Sequence, residues 1–253
     1  MPIKPRRTQR PETADDGQVR VRLSRVRLWL VDLDDTIFNA SAGMLAAIHR
    51  RMEQYIGRRL DLPPQQAVRL QKDYWRTYGA TFVGLQRHHG VAPDEFFEAT
   101  HGFDLQPYLK TVTGAQRLRA VLARLPGRRV VLTNGPRIYA EGVLRGLRLR
   151  GVFDGVVSAN DMHICGKWRS KPDPILFAHA AHAFGARPCE TCFIDDSPAN
   201  LAAARALGMA AVWCRGYRND KPATAAHPWA DLVVDNLDAL AAELGRRPRG
   251  RAG

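Results

Sequence analysis

Long apolar runs are missing from this chain of 253 residues. No stretch approaches the roughly 20 consecutive apolar residues that a membrane-spanning helix needs. The first eighteen residues, MPIKPRRTQRPETADDGQ, carry no apolar segment, so the expectation is that they are not a secretory signal. Cysteine is scarce: Cys165, Cys189, Cys192 and Cys214 are the four. A disulfide scaffold is thereby excluded, and reduced thiols in a cytosol are the expectation. Cys189-Glu190-Thr191-Cys192 has the spacing of a metal or redox pair. The second pair that a zinc ribbon requires is absent, and the motif runs into a strand where a thioredoxin-like motif would open a helix. It reads as structurally incidental. Lysine is also rare, 6 against 32 arginines, which looks like a coding bias spread over the whole chain. Internal repeats are absent, and so is low complexity outside the two ends.

What is present is ordinary for a soluble globular protein: 45% hydrophobic and 25% charged residues. The length suits one domain, or a core domain carrying a smaller insert. The net charge of +13 is concentrated at the ends. Residues 1–27 hold eight Lys/Arg against three Asp/Glu, and Arg246, Arg247, Arg249 and Arg251 close the chain. Such ends bind nucleic acid or anionic lipid weakly, or are simply solvated, and the solvated reading takes precedence. Residues 1–25 read as a flexible basic arm and 246–253 as a basic tail.

Between them, short apolar runs alternate with helical patterns. Strands are expected at 28–31, 130–132, 156–158, 192–194, 211–214 and 232–234, each apolar throughout, as strands buried on both faces are. Helices are expected at 114–124, 138–147, 174–184, 198–207 and 237–244, with Pro174 and Pro198 in first turns and Gly185 and Gly208 where helices stop. The alternation predicts an α/β fold with a parallel, Rossmann-like sheet and helices on both faces. One interval breaks it. Residues 40–113 show helical patterns at 44–55, 65–78, 82–88 and 94–100 and no clear strand, far more than a crossover needs. They read as an inserted helical cap subdomain, leaving 26–39 and 114–245 as the core.

The chemistry gathers at strand ends. The first strand runs into Asp32-Leu33-Asp34-Asp35-Thr36. Residues i and i+2 of an extended chain face the same way, so Asp32 and Asp34 project together from a carboxyl end, where open α/β sheets place ligands. Like charges this close repel unless a cation or a shared proton relieves them. The second strand ends in Thr133-Asn134-Gly135 and the fourth in Asp195-Asp196-Ser197, with Ser170-Lys171-Pro172-Asp173-Pro174 between, where Asp173 is set to cap a helix. Several carboxylates suit a hard cation such as Mg²⁺, and a lysine and a threonine beside it suit a phosphoryl group.

These motifs, DLDDT, TNG, SKPDP and FIDDSPAN in that order, resemble the four motifs of the haloacid dehalogenase superfamily over about residues 26–245. The resemblance implies a covalent aspartyl-phosphate mechanism with Mg²⁺ as cofactor. On it, Asp32 matches the nucleophile and Asp34 the general acid/base; Thr133, Asn134 and Lys171 hold the phosphoryl. Asp32, Asp34 through its backbone carbonyl, and Asp196 match the metal positions, and Asp195, standing where the common form has Gly, is a further metal candidate as in members with an Asp-Asp pair. Many members carry an Asp where this chain has Asn200, which leaves the metal contact divided among Asp195, Asp196 and Asn200. An acid at Asp34 points to phosphate-ester hydrolysis or phosphomutase chemistry.

The stretch 78–90, with 32–38 and 193–208, resembles pyrimidine 5′-nucleotidases of the same superfamily. That implies a nucleotide, UMP or CMP, as the small-molecule phosphomonoester, with Tyr78, Thr81 and His88 as candidate contacts in a cytoplasmic enzyme without membrane association. His88-His89 equally ends a surface helix, and the stripe of Tyr74, Trp75 and Tyr78 equally packs the insert's own core. His179 and His182, without a matching carboxylate, read as packing and surface residues. The alternatives are a phosphatase for sugar phosphates or phosphoglycolate, or a phosphomutase. A different class of alternative is a nucleic-acid-binding or scaffold protein that uses its basic ends.

Overall fold

The computed structural model describes residues 22–217 and 227–245. The expectations for 1–21 and 246–253 fall outside the described residues. Strand β1 (Leu28–Val31) leads into a helical run: α1 (Met44–Leu60), α2 (Pro64–Tyr78), α3 (Thr81–His89), α4 (Pro93–His101) and α5 (Gln106–Leu109). Helix α6 (Ala115–Ala123) returns to β2 (Arg128–Leu132), followed by α7 (Arg137–Gly146) and β3 (Gly155–Val157). A hairpin of β4 (His163–Ile164) and β5 (Lys167–Trp168) precedes α8 (Pro174–Ala183). The chain ends through β6 (Thr191–Asp195), α9 (Pro198–Ala206), β7 (Ala210–Cys214), β8 (Leu232–Val234) and α10 (Leu237–Gly245).

Six strands form one sheet in the order β3-β2-β1-β6-β7-β8, and every pairing in it is parallel. This is the expected Rossmann-like α/β sheet. Its strands are apolar because both faces are covered. Trp29 and Val31 of β1 belong to one core cluster, with Leu122 of α6 and Val143 of α7. Leu28 and Leu30 belong to the other, with Phe177 of α8 and Leu201 of α9. Alternate residues of one strand thus feed opposite layers. Burial of this kind supplies about 25 cal/mol per Å² of apolar surface.

The helices between β1 and β2 bury a core of their own from Tyr55, Ile56, Phe82, Leu85, Val91, Phe96 and Phe97. They sit against the sheet domain at named points. Asn160 Nδ2 donates to Asp94 Oδ1 at 3.0 Å, and Trp168 Nε1 to Gln86 Oε1 at 2.6 Å. The Trp168 ring meets Phe82 edge-on at 4.9 Å. Residues 22–25, grouped with the arm by composition, begin the folded body. Leu23 is buried, and Arg22 pairs with Asp231 at 3.1 Å and donates to the carbonyls of Gly208 and Met209 at 3.0 Å.

Cys189 is exposed just before β6 and Cys192 is buried within it. Burial pushes the Cys192 thiol well up, which suits an inert packing residue. No described helix is long and apolar enough to cross a membrane.

Candidate active site

Parallel pairing puts the motifs on one edge. Val31 pairs with Val131 of β2 and Ile194 of β6, so the residues that follow all leave the sheet at the same end. Asp32 stays on the ladder, its backbone N–H donating to the Ile194 carbonyl at 2.9 Å. Thr133 continues β2 in the same way, bonded to the Val157 carbonyl at 3.0 Å. Lys171 arrives from the segment before α8, whose first turn is capped by Asp173 through the Ile175 N–H at 2.8 Å.

Lys171 is the centre of the cluster. Its Nζ lies 2.5 Å from Asp32 Oδ1 and 2.9 Å from Asp195 Oδ2, with all three residues buried. Burial favours the neutral amine, but the carboxylates of Asp195 and Asp32 outweigh it and push the Lys171 ammonium above its ordinary value. Desolvation pushes the Asp32 carboxyl up and Lys171 pulls against it. Asp34 is half-buried two residues on, and its carboxyl is pushed up to about 6, chiefly by desolvation, with the Tyr139 hydrogen bond opposing. A carboxyl at that value exchanges protons readily near neutral pH.

Asp195 is saturated. Besides Lys171, it accepts from the Ser197 N–H at 2.7 Å and from Asn200 Nδ2 at 3.1 Å to each oxygen. Asp196, one residue further, is less buried. Carboxylate oxygens of Asp32, Asp195 and Asp196 lie within 4.8 Å of one another. An all-oxygen donor set of this kind fits a hard divalent cation.

The remaining expected residues fall into two groups. Thr133 is buried at the site, its Oγ1 accepting from the Gly135 N–H at 3.0 Å. Asn134 is turned to the backbone of Lys171: its Nδ2 donates to the Lys171 carbonyl at 3.2 Å and its Oδ1 accepts the Lys171 N–H at 2.9 Å. It holds the lysine in place. In the insert, the turn after α2 touches the core beside Lys171. Gly79 has φ +76, and a Cβ on it would lie 2.8 Å from Ser170 Oγ. Tyr78, just before it, bonds His88 Nε2 at 2.5 Å through its hydroxyl. Thr81 is buried inside the insert, donating to the Gln71 carbonyl at 3.3 Å.

Two further contacts escape sequence reading. Asp35 ties the loop leading into the insert, accepting from the Ser41 N–H at 2.9 Å and the Ser41 hydroxyl at 2.5 Å. Tyr139, six residues past Thr133, donates its phenol to Asp34 Oδ1 at 2.5 Å. No pattern around Tyr139 marks it, because its partner lies 105 residues away in the chain.

A family model described as haloacid dehalogenase-like hydrolase matches residues 26–208. Validoxylamine A 7′-phosphate phosphatase of Streptomyces hygroscopicus subsp. limoneus is 28% identical, over 82% of this chain and 92% of that protein. Phosphoglycolate phosphatase of Pseudomonas putida is 24% identical, over 85% of this chain and 78% of that protein. The crystal structure of CbbY from Rhodobacter sphaeroides in complex with phosphate shares the fold, with a TM-score of 0.58 at 19% identity, over 87% of this chain and 99% of that one.

Proposed function

The chain belongs to the haloacid dehalogenase-like hydrolase family, and from that premise we propose that it is a Mg²⁺-dependent phosphomonoesterase working through an aspartyl-phosphate. The observation that carries the reading is the bridge of Lys171 Nζ between Asp32 Oδ1 and Asp195 Oδ2 at the sheet edge where Thr133 and Asp34 also emerge.

Asp32 attacks phosphorus as the P–O bond to the leaving group breaks. A carboxylate nucleophile splits one hard displacement into two easier ones. Lys171 offsets the repulsion between this carboxylate and the anionic phosphate, and Thr133 binds a phosphoryl oxygen through its hydroxyl. Asn134 keeps Lys171 at the site through the paired backbone bonds. Asp34 gives its proton to the leaving alkoxide and then takes one from the water that opens the aspartyl-phosphate. Such transfer contributes a factor of about 10²–10⁴ in rate. Asp32, Asp196 and the Asp34 carbonyl would hold the Mg²⁺, with Asp195 beside them as the partner of Lys171. When bound, the cation neutralises phosphoryl charge.

The leaving group is read by the helical insert at 40–113, since the core meets the same phosphate in every monoester. The similarity of 78–90 to pyrimidine 5′-nucleotidases supports UMP and CMP, with Tyr78 and His88, bonded to each other within the insert, as candidate readers. Thr81 supports the insert from within. A second reading, a sugar-phosphate or phosphoglycolate phosphatase, is favoured by relatives named for such substrates. A phosphate-release screen with Mg²⁺ over nucleoside monophosphates, sugar phosphates and phosphoglycolate separates the two. Highest kcat/KM for UMP and CMP supports the nucleotidase. Higher kcat/KM for phosphoglycolate or a sugar phosphate replaces it with the second reading. Release from no phosphomonoester overturns both.

A further inference from the structure

Tyr139 belongs to none of the four motifs. It lies in the first turn of α7 and is 1% exposed. Its ring packs against two neighbours. One is the Thr133-Asn134-Gly135 turn, where a Cβ on Gly135 would stand only 3.0 Å from Tyr139 Cδ1. The other is His101, at the end of α4, with ring centroids 5.6 Å apart. Ring and hydroxyl are therefore fixed by packing before any substrate enters. A buried phenol needs an acceptor, and the acceptor here is Asp34 Oδ1 at 2.5 Å.

A carboxyl group has two oxygens, and a rotating one presents its proton in several directions. With Oδ1 held by a rigid donor, both the rotation of the group and the identity of the other oxygen are set. We propose that Tyr139 is a positioning residue for proton transfer: it pins Oδ1 of Asp34 so that Oδ2 is the oxygen that exchanges the proton. The inference rests on the phosphomonoesterase reading. In the first half-reaction the Oδ2–H bond breaks and its proton goes to the leaving alkoxide, while the Asp32–phosphorus bond forms and the ester P–O bond breaks. In the second, water bonds to phosphorus, the Asp32–phosphorus bond breaks, and the water's proton returns to Oδ2. Orientation of a catalytic group carries a large share of its effect on rate. The same tyrosine packs on His101, so the placement of the acid is tied to the seating of the helical insert.

Tyr139→Phe keeps the ring and removes only the hydroxyl. Single-turnover release of the leaving group isolates the first half-reaction. For the best alkyl phosphate of the screen, release should slow about tenfold or more, part of the proton-transfer factor. An aryl phosphate such as p-nitrophenyl phosphate, whose leaving group departs without a proton, should slow by about twofold or less. The half-saturating substrate concentration should change little. In an Asp34→Ala background, adding Tyr139→Phe should have almost no further effect on the alkyl substrate, because the two residues act as one unit. Equal slowing of alkyl and aryl substrates, no slowing of either, or full additivity with Asp34→Ala would overturn the proposal while leaving the phosphatase reading intact. A parent enzyme that releases phosphate from neither substrate would overturn the reading beneath it.

Discussion

Lys171 Nζ sits 2.5 Å from Asp32 Oδ1, with the lysine side chain 3% exposed and that of the aspartate 9%. The lysine also holds Asp195, so one cation keeps two buried carboxylates together. Lys171→Met leaves those carboxylates facing each other without it. Breaking a buried ion pair by removing one partner costs about 3–5 kcal/mol. Turnover should fall by about 10² or more, as expected for losing an electrostatic stabiliser of the transferring group. The stability deficit, read by urea unfolding, should be largest near pH 7.5. Burial raises the Asp32 carboxyl and Lys171 pulls against that rise, so the lysine's contribution is present while Asp32 is ionised and is lost as pH falls through that raised folded-state value. The deficit should therefore shrink on acidification. Wild-type stability in Lys171→Met at pH 7.5 would contradict the bridge.

Adjacent aspartates should separate by role. Asp195 is enclosed by Lys171, Ser197 and Asn200, so Asp195→Asn should lower the melting temperature in EDTA, where no cation contributes. Asp196→Ala, at the less buried of the two positions, should lower that temperature by less and raise the Mg²⁺ concentration for half-maximal activity by about tenfold or more. Melts in EDTA and Mg²⁺ titrations of both variants test this. The reverse pattern would exchange the two assignments.

His101 makes stability depend on pH. Burial pushes its imidazole down to about 3, with His49 adding to the effect. Its Nδ1 lies 2.7 Å from the Thr100 hydroxyl. In the unfolded chain a histidine titrates near 6.5. Between the two values the unfolded state binds the extra proton, so stability is present above about pH 6.5 and is lost as pH falls toward 3, by about 1.4 kcal/mol per unit. From pH 7.5 to 4.5 the parent should lose about 3 kcal/mol more than His101→Gln. Parallel losses in urea unfolding would show that His101 is not held neutral.

Much of this molecule is legible in its sequence because the determinants are local. The run Leu28–Val31 is apolar throughout, since both faces are covered, and its exit into Asp32 marks the sheet edge. Pro174 and Pro198 open helices, as proline's fixed φ allows. The unread features are non-local or short. The hairpin at 163–168 has strands of two residues, too short for a period to register. Asn134 faces the Lys171 backbone across 37 residues, so its type in the TNG motif suggests a ligand contact when its bonds are structural. Asp195 ends β6 fully buried against Lys171 while Asp196, one residue on, is less buried, a distinction that adjacency in sequence conceals.

The central claim is that Asp32 becomes covalently phosphorylated. Rapid-quench mixing with a ³²P-labelled phosphomonoester that the enzyme turns over, followed by denaturation and counting of protein-bound label, tests it directly. The account predicts label on the parent protein that hydroxylamine releases, as an acyl phosphate requires, and none on Asp32→Asn. Phosphate release at full rate with no labelled protein at any quench time, or equal labelling of Asp32→Asn, would contradict it.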